Sequence, residues 1–167
     1  MPLPATTTLS IYHELNPRLA LTGSIFYDQW SINNAYHAKN ITTLSSTGTP
    51  TTVNVDIPQN FSDTVDFSIG GHYKLTEKLM LRSLIKYVGS PTNNADRDVN
   101  FPDAPKLGFH FGSRYQVTKN VALDLIYGHA FVWQEPINSI NPVTFARANG
   151  HVRSHVDFAG GQLVINI

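Results

Sequence analysis

Segments that alternate apolar and polar residues are joined by connections that are short, then long, then short again, and this rhythm constrains the chain more than any single motif. Period-two alternation sends successive side chains to opposite faces of an extended backbone, so it predicts strands, and no 3.6-residue pattern with helix caps competes with it. Seven strands are predicted, over residues 6–14, 19–31, 64–74, 79–89, 106–116, 121–133 and 155–167. Leu15-Asn16-Pro17-Arg18, Leu75-Thr76-Glu77-Lys78 and Val117-Thr118-Lys119-Asn120 read as tight polar turns. The other connections, 32–63, 90–105 and 134–154, are rich in Asn, Pro, Thr and Ser and long for a compact soluble domain. An all-β antiparallel meander with tight turns at one rim and long loops at the other is the pattern of bacterial outer-membrane barrels, whose periplasmic turns are short. The rival reading is a soluble secreted β-sandwich binding module, a class with less regular loop lengths.

The faces of the predicted strands differ in kind. Leu79, Leu81, Ile85 and Tyr87 oppose Met80, Arg82, Leu84 and Lys86, and Leu107, Phe109, Phe111 and Tyr115 oppose Gly108, His110, Gly112 and Arg114. Val65, Phe67, Ile69 and Tyr73 oppose Asp66, Ser68, Gly70 and His72, while Val121, Leu123, Leu125 and Tyr127 oppose Ala122, Asp124, Ile126 and Gly128. In a barrel the first set meets lipid and the second lines the lumen; in a sandwich the first set is the core. Aromatic placement favours the barrel. Tyr12, Tyr73 and Tyr115 fall just before short turns, and Tyr27, Trp30, Tyr87, Tyr127, Phe131 and Trp133 fall toward the long loops, as two interfacial belts require.

Composition narrows the function classes. The 167 residues contain no linker-like tract, so 1–167 is read as one domain. Lys+Arg and Asp+Glu balance at 12 each, which gives no chain-wide attraction for nucleic acid. The absence of Cys removes disulfides, thiolate zinc sites and Cys nucleophiles. No run approaches the ~18 apolar residues of a spanning helix, but a barrel strand needs only ~9–11 and shows lipid every second residue. The opening Met1-Pro2-Leu3-Pro4 segment lacks the basic and apolar regions of a secretion signal, so the start of an exported protein is expected to be encoded upstream.

Ordered short motifs then carry a resemblance. Leu21 to Ser31, ending Phe26-Tyr27-Asp28-Gln29-Trp30-Ser31, resembles the FadL-family strand that closes in an aromatic, two spacers and Trp-Ser before a long loop. Phe61-Ser62-Asp63-Thr64 leading into Ile69-Gly70-Gly71-His72-Tyr73 is similar to the next strand, and Lys86-Tyr87-Val88-Gly89-Ser90-Pro91 to the end of the one after. Phe101-Pro102-Asp103 followed by Gly112-Ser113-Arg114-Tyr115 continues the series. The resemblance implies half, about seven strands, of a fourteen-stranded transmembrane β-barrel in the bacterial outer membrane. It implies transport of long-chain fatty acids or other hydrophobic compounds, with no reaction and no cofactor. The partners it implies are such a ligand, outer-membrane lipid and lipopolysaccharide, and the missing N-terminal half or a second copy. The family's plug and early strands have no counterpart here, so no binding residue carries over. The chain ends in Ile167 where such barrels usually end in Phe, a departure expected to weaken recognition by the barrel-assembly machinery.

Asp66, His72, Arg82, Lys86, His110, Arg114 and Asp124 all fall on the predicted polar face and are the candidate lumen-lining residues. Their cations could attract a carboxylate headgroup, or the charges could simply pair across neighbouring strands. His151 and His155 have the i, i+4 spacing of a helical metal site but sit at a loop-to-strand junction, where with Arg147 and Arg153 they form a basic patch on the long-loop rim suited to lipopolysaccharide phosphates. No Gly-x-Ser-x-Gly elbow, phosphate loop or paired-acid motif is present, which leaves a hydrolase using His72 or His110 as the enzymatic rival.

Overall fold

The computed structural model describes residues 3–44, 48–97, 99, 102–140 and 147–166. Phe101 and Ile167, both singled out above, lie outside the described residues. Strands form at β1 (Thr6–Asn16), β2 (Leu19–Asp28), β3 (Ala35–Leu44), β4 (Pro50–Pro58), β5 (Thr64–Lys74) and β6 (Leu79–Val88). They continue at β7 (Lys106–Gln116), β8 (Val121–Val132), β9 (Glu135–Ile140), β10 (Arg147–Val152) and β11 (His155–Ile165). Seven of them make one antiparallel sheet in the order β1-β2-β5-β6-β7-β8-β11, and these are the seven strands predicted from alternation.

Two expectations change. The second predicted strand stops at Asp28 and does not reach residue 31, because Trp30–Asn33 winds into a 3₁₀ turn. Two of the three long connections are not irregular loops but carry hairpins, β3 on β4 and β9 on β10. The β3–β4 hairpin has an apolar face of its own, with Val53, Val55 and Ile57 opposite Ile41, Ala38 and Tyr36, but Asn40, at φ 58, breaks its register between Ala38 and Ile41. That irregularity, with Lys39-Asn40 and Thr42-Thr43 on either side of Ile41, dilutes the period-two contrast that marks a strand in sequence.

The apolar face of the large sheet is exposed, with Ile69 at 64% and Phe111 at 58% of full accessibility. A sandwich would bury that face under a second sheet. Among the described residues only the two-stranded hairpins stand outside the large sheet, and buried apolar residues reduce to Ala20, Phe61, Ala104, Ala122 and Ile137. The sandwich reading is therefore retired. A one-layer sheet with a greasy outer face makes physical sense where lipid covers it.

The three short turns share one device. The Asn16 Oδ1 atom accepts from the backbone N–H groups of Arg18 and Leu19 at 2.9 and 3.0 Å. Thr76 Oγ1 accepts from Lys78 and Leu79 at 3.2 and 3.0 Å, and Thr118 Oγ1 from Asn120 and Val121 at 3.3 and 3.1 Å. Each turn thus satisfies its own backbone donors with a local side-chain oxygen.

Candidate functional site

Residues directly opposite in an antiparallel pair share a face, so strand register decides which side chains meet. His72 lies opposite Arg82, Leu84 opposite His110, Met80 opposite Arg114, and Arg114 opposite Asp124. Phe26 opposes Asp66, and Ser68 opposes Lys86. All seven candidate residues therefore stand on one continuous face. A cavity of about 740 Å³ opens on it, and its lining includes Tyr12, His72, Arg82, Leu84, His110 and Asp124. Asp66 and Lys86 lie beyond it toward the long-loop end, and Arg114 lines a separate hollow at the short-turn end.

Much of the charge on this face is paired. Lys86 Nζ approaches Asp66 Oδ2 at 3.5 Å and sits 4.3 Å from the centre of the Phe26 ring, while the Gly89 N–H donates to Asp66 Oδ1 at 3.0 Å. These partners keep Asp66 satisfied at 3% exposure, as burial of a carboxylate demands. Arg114 Nη1 lies 3.7 Å from Asp124 Oδ2, leaving Asp124 Oδ1 buried without a hydrogen-bond partner among the described residues. Arg82, His72 and His110 form no ion pair among the described residues. His72 instead stacks on Tyr12 with ring centroids 6.1 Å apart, and His110 tilts against Phe158 at 5.3 Å.

Three features escaped the sequence reading. Tyr12, expected in the belt near the short turns, pairs with Thr22 and stacks on His72, which puts it on the cavity face; Tyr73 and Tyr115 remain on the apolar face. Strand parity gives this away: Tyr12 is two residues from Ser10 and Glu14, on their face. Second, the apolar face of β8 and β11 carries a polar knot near the long loops. There Tyr127 Oη donates to Asp157 Oδ1 at 2.6 Å, His129 Nδ1 lies 2.8 Å from the same oxygen, and the His155 ring stacks on His129 at 5.8 Å. His151 and His155 consequently fall on different strands, and Asp157 offsets part of the expected basic patch.

The third feature is Arg97, 2% exposed within the long connection between β6 and β7. Its Nε donates to Asp103 O at 2.6 Å, and Nη1 donates to Asn94 Oδ1 at 2.7 Å and Pro136 O at 2.8 Å, with Glu135 Oε2 at 3.8 Å. Next to it, Asp96 Oδ1 accepts from Asn60 Nδ2 at 2.8 Å. One connection thereby ties to both of the others. At the foot of the β2–β5 connection, Asp63 accepts from the Tyr27 hydroxyl at 2.5 Å and from the Ser31 N–H at 2.9 Å, contacts that hold its carboxyl below the usual range. A single buried Arg among polar loop residues has no periodic signature, so sequence alone does not expose it.

Comparison with known proteins adds an independent line. The family described as outer membrane protein transport protein (OMPP1/FadL/TodX) matches residues 1–162. A 47 kDa outer membrane protein of Pasteurella multocida is 30% identical over 129 residues, covering 77% of this chain and 28% of the relative. Outer membrane protein P1 of Haemophilus influenzae is 28% identical over 127 residues, covering 76% of this chain and 26% of its own length. Among solved structures, a Pseudomonas aeruginosa FadL homologue superposes with a TM-score of 0.74 at 28% identity, over 96% of this chain and 34% of that one. The Pseudomonas putida toluene transporter TodX superposes at 0.62 with 22% identity, over 99% of this chain and 35% of that one, a likeness of fold. The chain spans about a third or less of the length of these proteins.

Proposed function

We propose, from the premise that this chain belongs to the outer membrane protein transport family (OMPP1/FadL/TodX), that its sheet forms part of the wall of a barrel through which hydrophobic compounds cross. The protein is localised to the bacterial outer membrane, as its named relatives are. In this reading Asp66, His72, Arg82, Lys86, His110, Arg114 and Asp124 line the lumen. The observation that carries it is the register: it sets an exposed apolar face against a face holding the charged residues and the cavity. Lipid accepts the first face, and a water-accessible passage accepts the second.

Long-chain fatty acids are the proposed cargo. Leu84, Ile126 and Tyr12 offer apolar surface along the cavity, and Arg82 stands beside them without a carboxylate partner among the described residues. No chemical step is required, because passage down a gradient needs only a lined path. The remainder of the wall comes from the missing N-terminal half or a second copy, and lipopolysaccharide surrounds the long-loop rim. Liposome uptake of a fluorescent long-chain fatty acid, with this chain assembled alongside the rest of the barrel, tests the proposal. Uptake above that of protein-free vesicles is expected. Uptake no faster than through the bare bilayer overturns it.

A further inference from the structure

Three strands meet in one row on the cavity face: His110 of β7 lies opposite Gly128 of β8, and Gly128 opposite Phe158 of β11. Strands β7 and β11 are two spacings apart, about 10 Å, yet their rings lean toward each other across β8 until the centroids stand 5.3 Å apart. They can do so because no side chain stands between them. A Cβ on Gly128 would run into the Phe158 ring and come within 2.9 Å of His110 Nδ1, and one on Gly108 would lie 2.8 Å from His110 Nε2. The two rings therefore recline on a floor of bare backbone.

Their surroundings make the pair a step in the wall. The next row toward the long loops carries Gly108, Ala130 and Val156, and the next toward the short turns Gly112, Ile126 and Gly160. His110 and Gly160 line the large cavity, so the step lies at its long-loop margin. Phe158 is 41% exposed, and because Gly128 covers one side of the ring, that exposure is to the space in front of the wall.

We propose that Phe158 is a specificity-determining residue of the passage: lodged over Gly128, its ring sets the clearance at the long-loop margin of the cavity and selects hydrophobic cargo by cross-section, favouring slender chains over bulky cages. The inference rests on reading the cavity face as a passage. A ring held between the wall and a histidine yields less to a bulky molecule than a flexible aliphatic side chain does, and nonbonded carbons forced closer than about 3.5 Å repel. No charge takes part, so neutral cargo is sorted too. Gly128 fixes the height of the step. An added methyl there meets the far edge of the Phe158 side chain rather than backbone, so the ring moves and the strand does not, and the ring moves off the wall into the passage.

The test uses outer-membrane vesicles that carry the whole barrel containing this chain, with radiolabelled 1-decanol and 1-adamantanol as probes. Both have ten carbons and one hydroxyl; one is a chain and the other a cage. Uptake in excess of vesicles lacking the barrel gives a cage-to-chain ratio for each variant. Phe158→Ala is expected to raise that ratio about threefold, less than the tenfold or more of a closed pocket because the step borders the passage on one side only. Gly128→Ala is expected to lower it, and Gly128→Ala/Phe158→Ala, which has no ring to displace, to match Phe158→Ala. Heat-modifiable migration on gels reports whether each variant has assembled. If Gly128→Ala does not assemble, Phe158→Ala and Phe158→Leu decide alone, with Leu expected between Ala and the parent. A ratio unchanged in Phe158→Ala, whatever the absolute rates, overturns the proposal and leaves the passage reading in place; a parent barrel that speeds neither alcohol overturns both.

Discussion

At the scale of single residues, neighbours along one strand stand on opposite faces of the sheet. Phe109 packs edge-on against Phe131 at 6.0 Å on the apolar face, whereas His110, next to it, lies on the cavity face against Phe158. Phe109→Asp is expected to impair membrane assembly far more than His110→Asp, since on a lipid-facing position a cation costs roughly 2–4 kcal/mol and an acid somewhat less, whereas on the proposed lumen face an acid would be hydrated. Heat-modifiable migration on gels reads this out, and survival of Phe109→Asp with loss of His110→Asp would invert the face assignment. Gly128 offers a second test. A Cβ there would lie 2.2 Å from the Phe158 ring and 2.9 Å from His110 Nδ1, so the ring rests directly over the glycine. Gly128→Ala is expected to cost about 1–3 kcal/mol in urea unfolding, and adding Phe158→Ala to recover part of it.

At the scale of elements, the long connections behave as one cap, and Arg97 joins its pieces. Arg97→Met removes the donors to Asp103, Asn94 and Pro136 and strands their acceptors. Protease added from outside is expected to cleave the 89–105 connection at least about tenfold faster, while the large sheet keeps its strand signal; unchanged cleavage would refute a joining role. Asp63 adds a pH dependence. Its folded carboxyl titrates below its unfolded value, so its contribution is fully present above the unfolded pKa and is lost as pH falls through the folded one. Cleavage near Trp30–Asn33 should therefore rise on acidification in the parent, and Asp63→Asn should flatten that rise. These elements also show where the sequence was legible. Each strand of the large sheet is readable because Leu81 and Arg82, or Phe109 and His110, stand on opposite faces, one apolar and one carrying polar residues, and the contrast survives in the letters. The β3–β4 hairpin is harder to read because Val53, Val55 and Ile57 alternate on one strand while Lys39-Asn40 and Thr42-Thr43 interrupt the other, and in β9 the buried Ile137 stands between Pro136 and Asn138 with too short a run to show a period. Tyr12 was misplaced for a related reason: a tyrosine suits an interfacial belt and a polar wall alike, and only counting along the strand separates them.

At the scale of the whole molecule, β1 and β11 close the two ends of the sheet order and each presents an unpaired edge. In lipid every such backbone group costs several kcal/mol, so the chain alone is not expected to form a conducting monomer. Joining β1 to β11 would require a parallel pair in a seven-stranded ring, narrower than the ~8 strands whose interior side chains already fill. Native mass spectrometry of the chain in liposomes, read beside fatty-acid uptake, decides this: a conducting seven-stranded monomer refutes the expectation, and a conducting dimer fits pairing of copies. The side-chain oxygens in the three short turns, finally, set a tempo. Asn16, Thr76 and Thr118 each close a loop of a few residues with no help from distant parts of the chain. Hairpins closed so locally form in ~1–10 μs, since little chain must be brought together first. The β1–β2, β5–β6 and β7–β8 pairs therefore carry their closing contacts within a few residues, whereas β11 reaches β8 only across a long connection, so the three hairpins are expected to form ahead of the β8–β11 pairing.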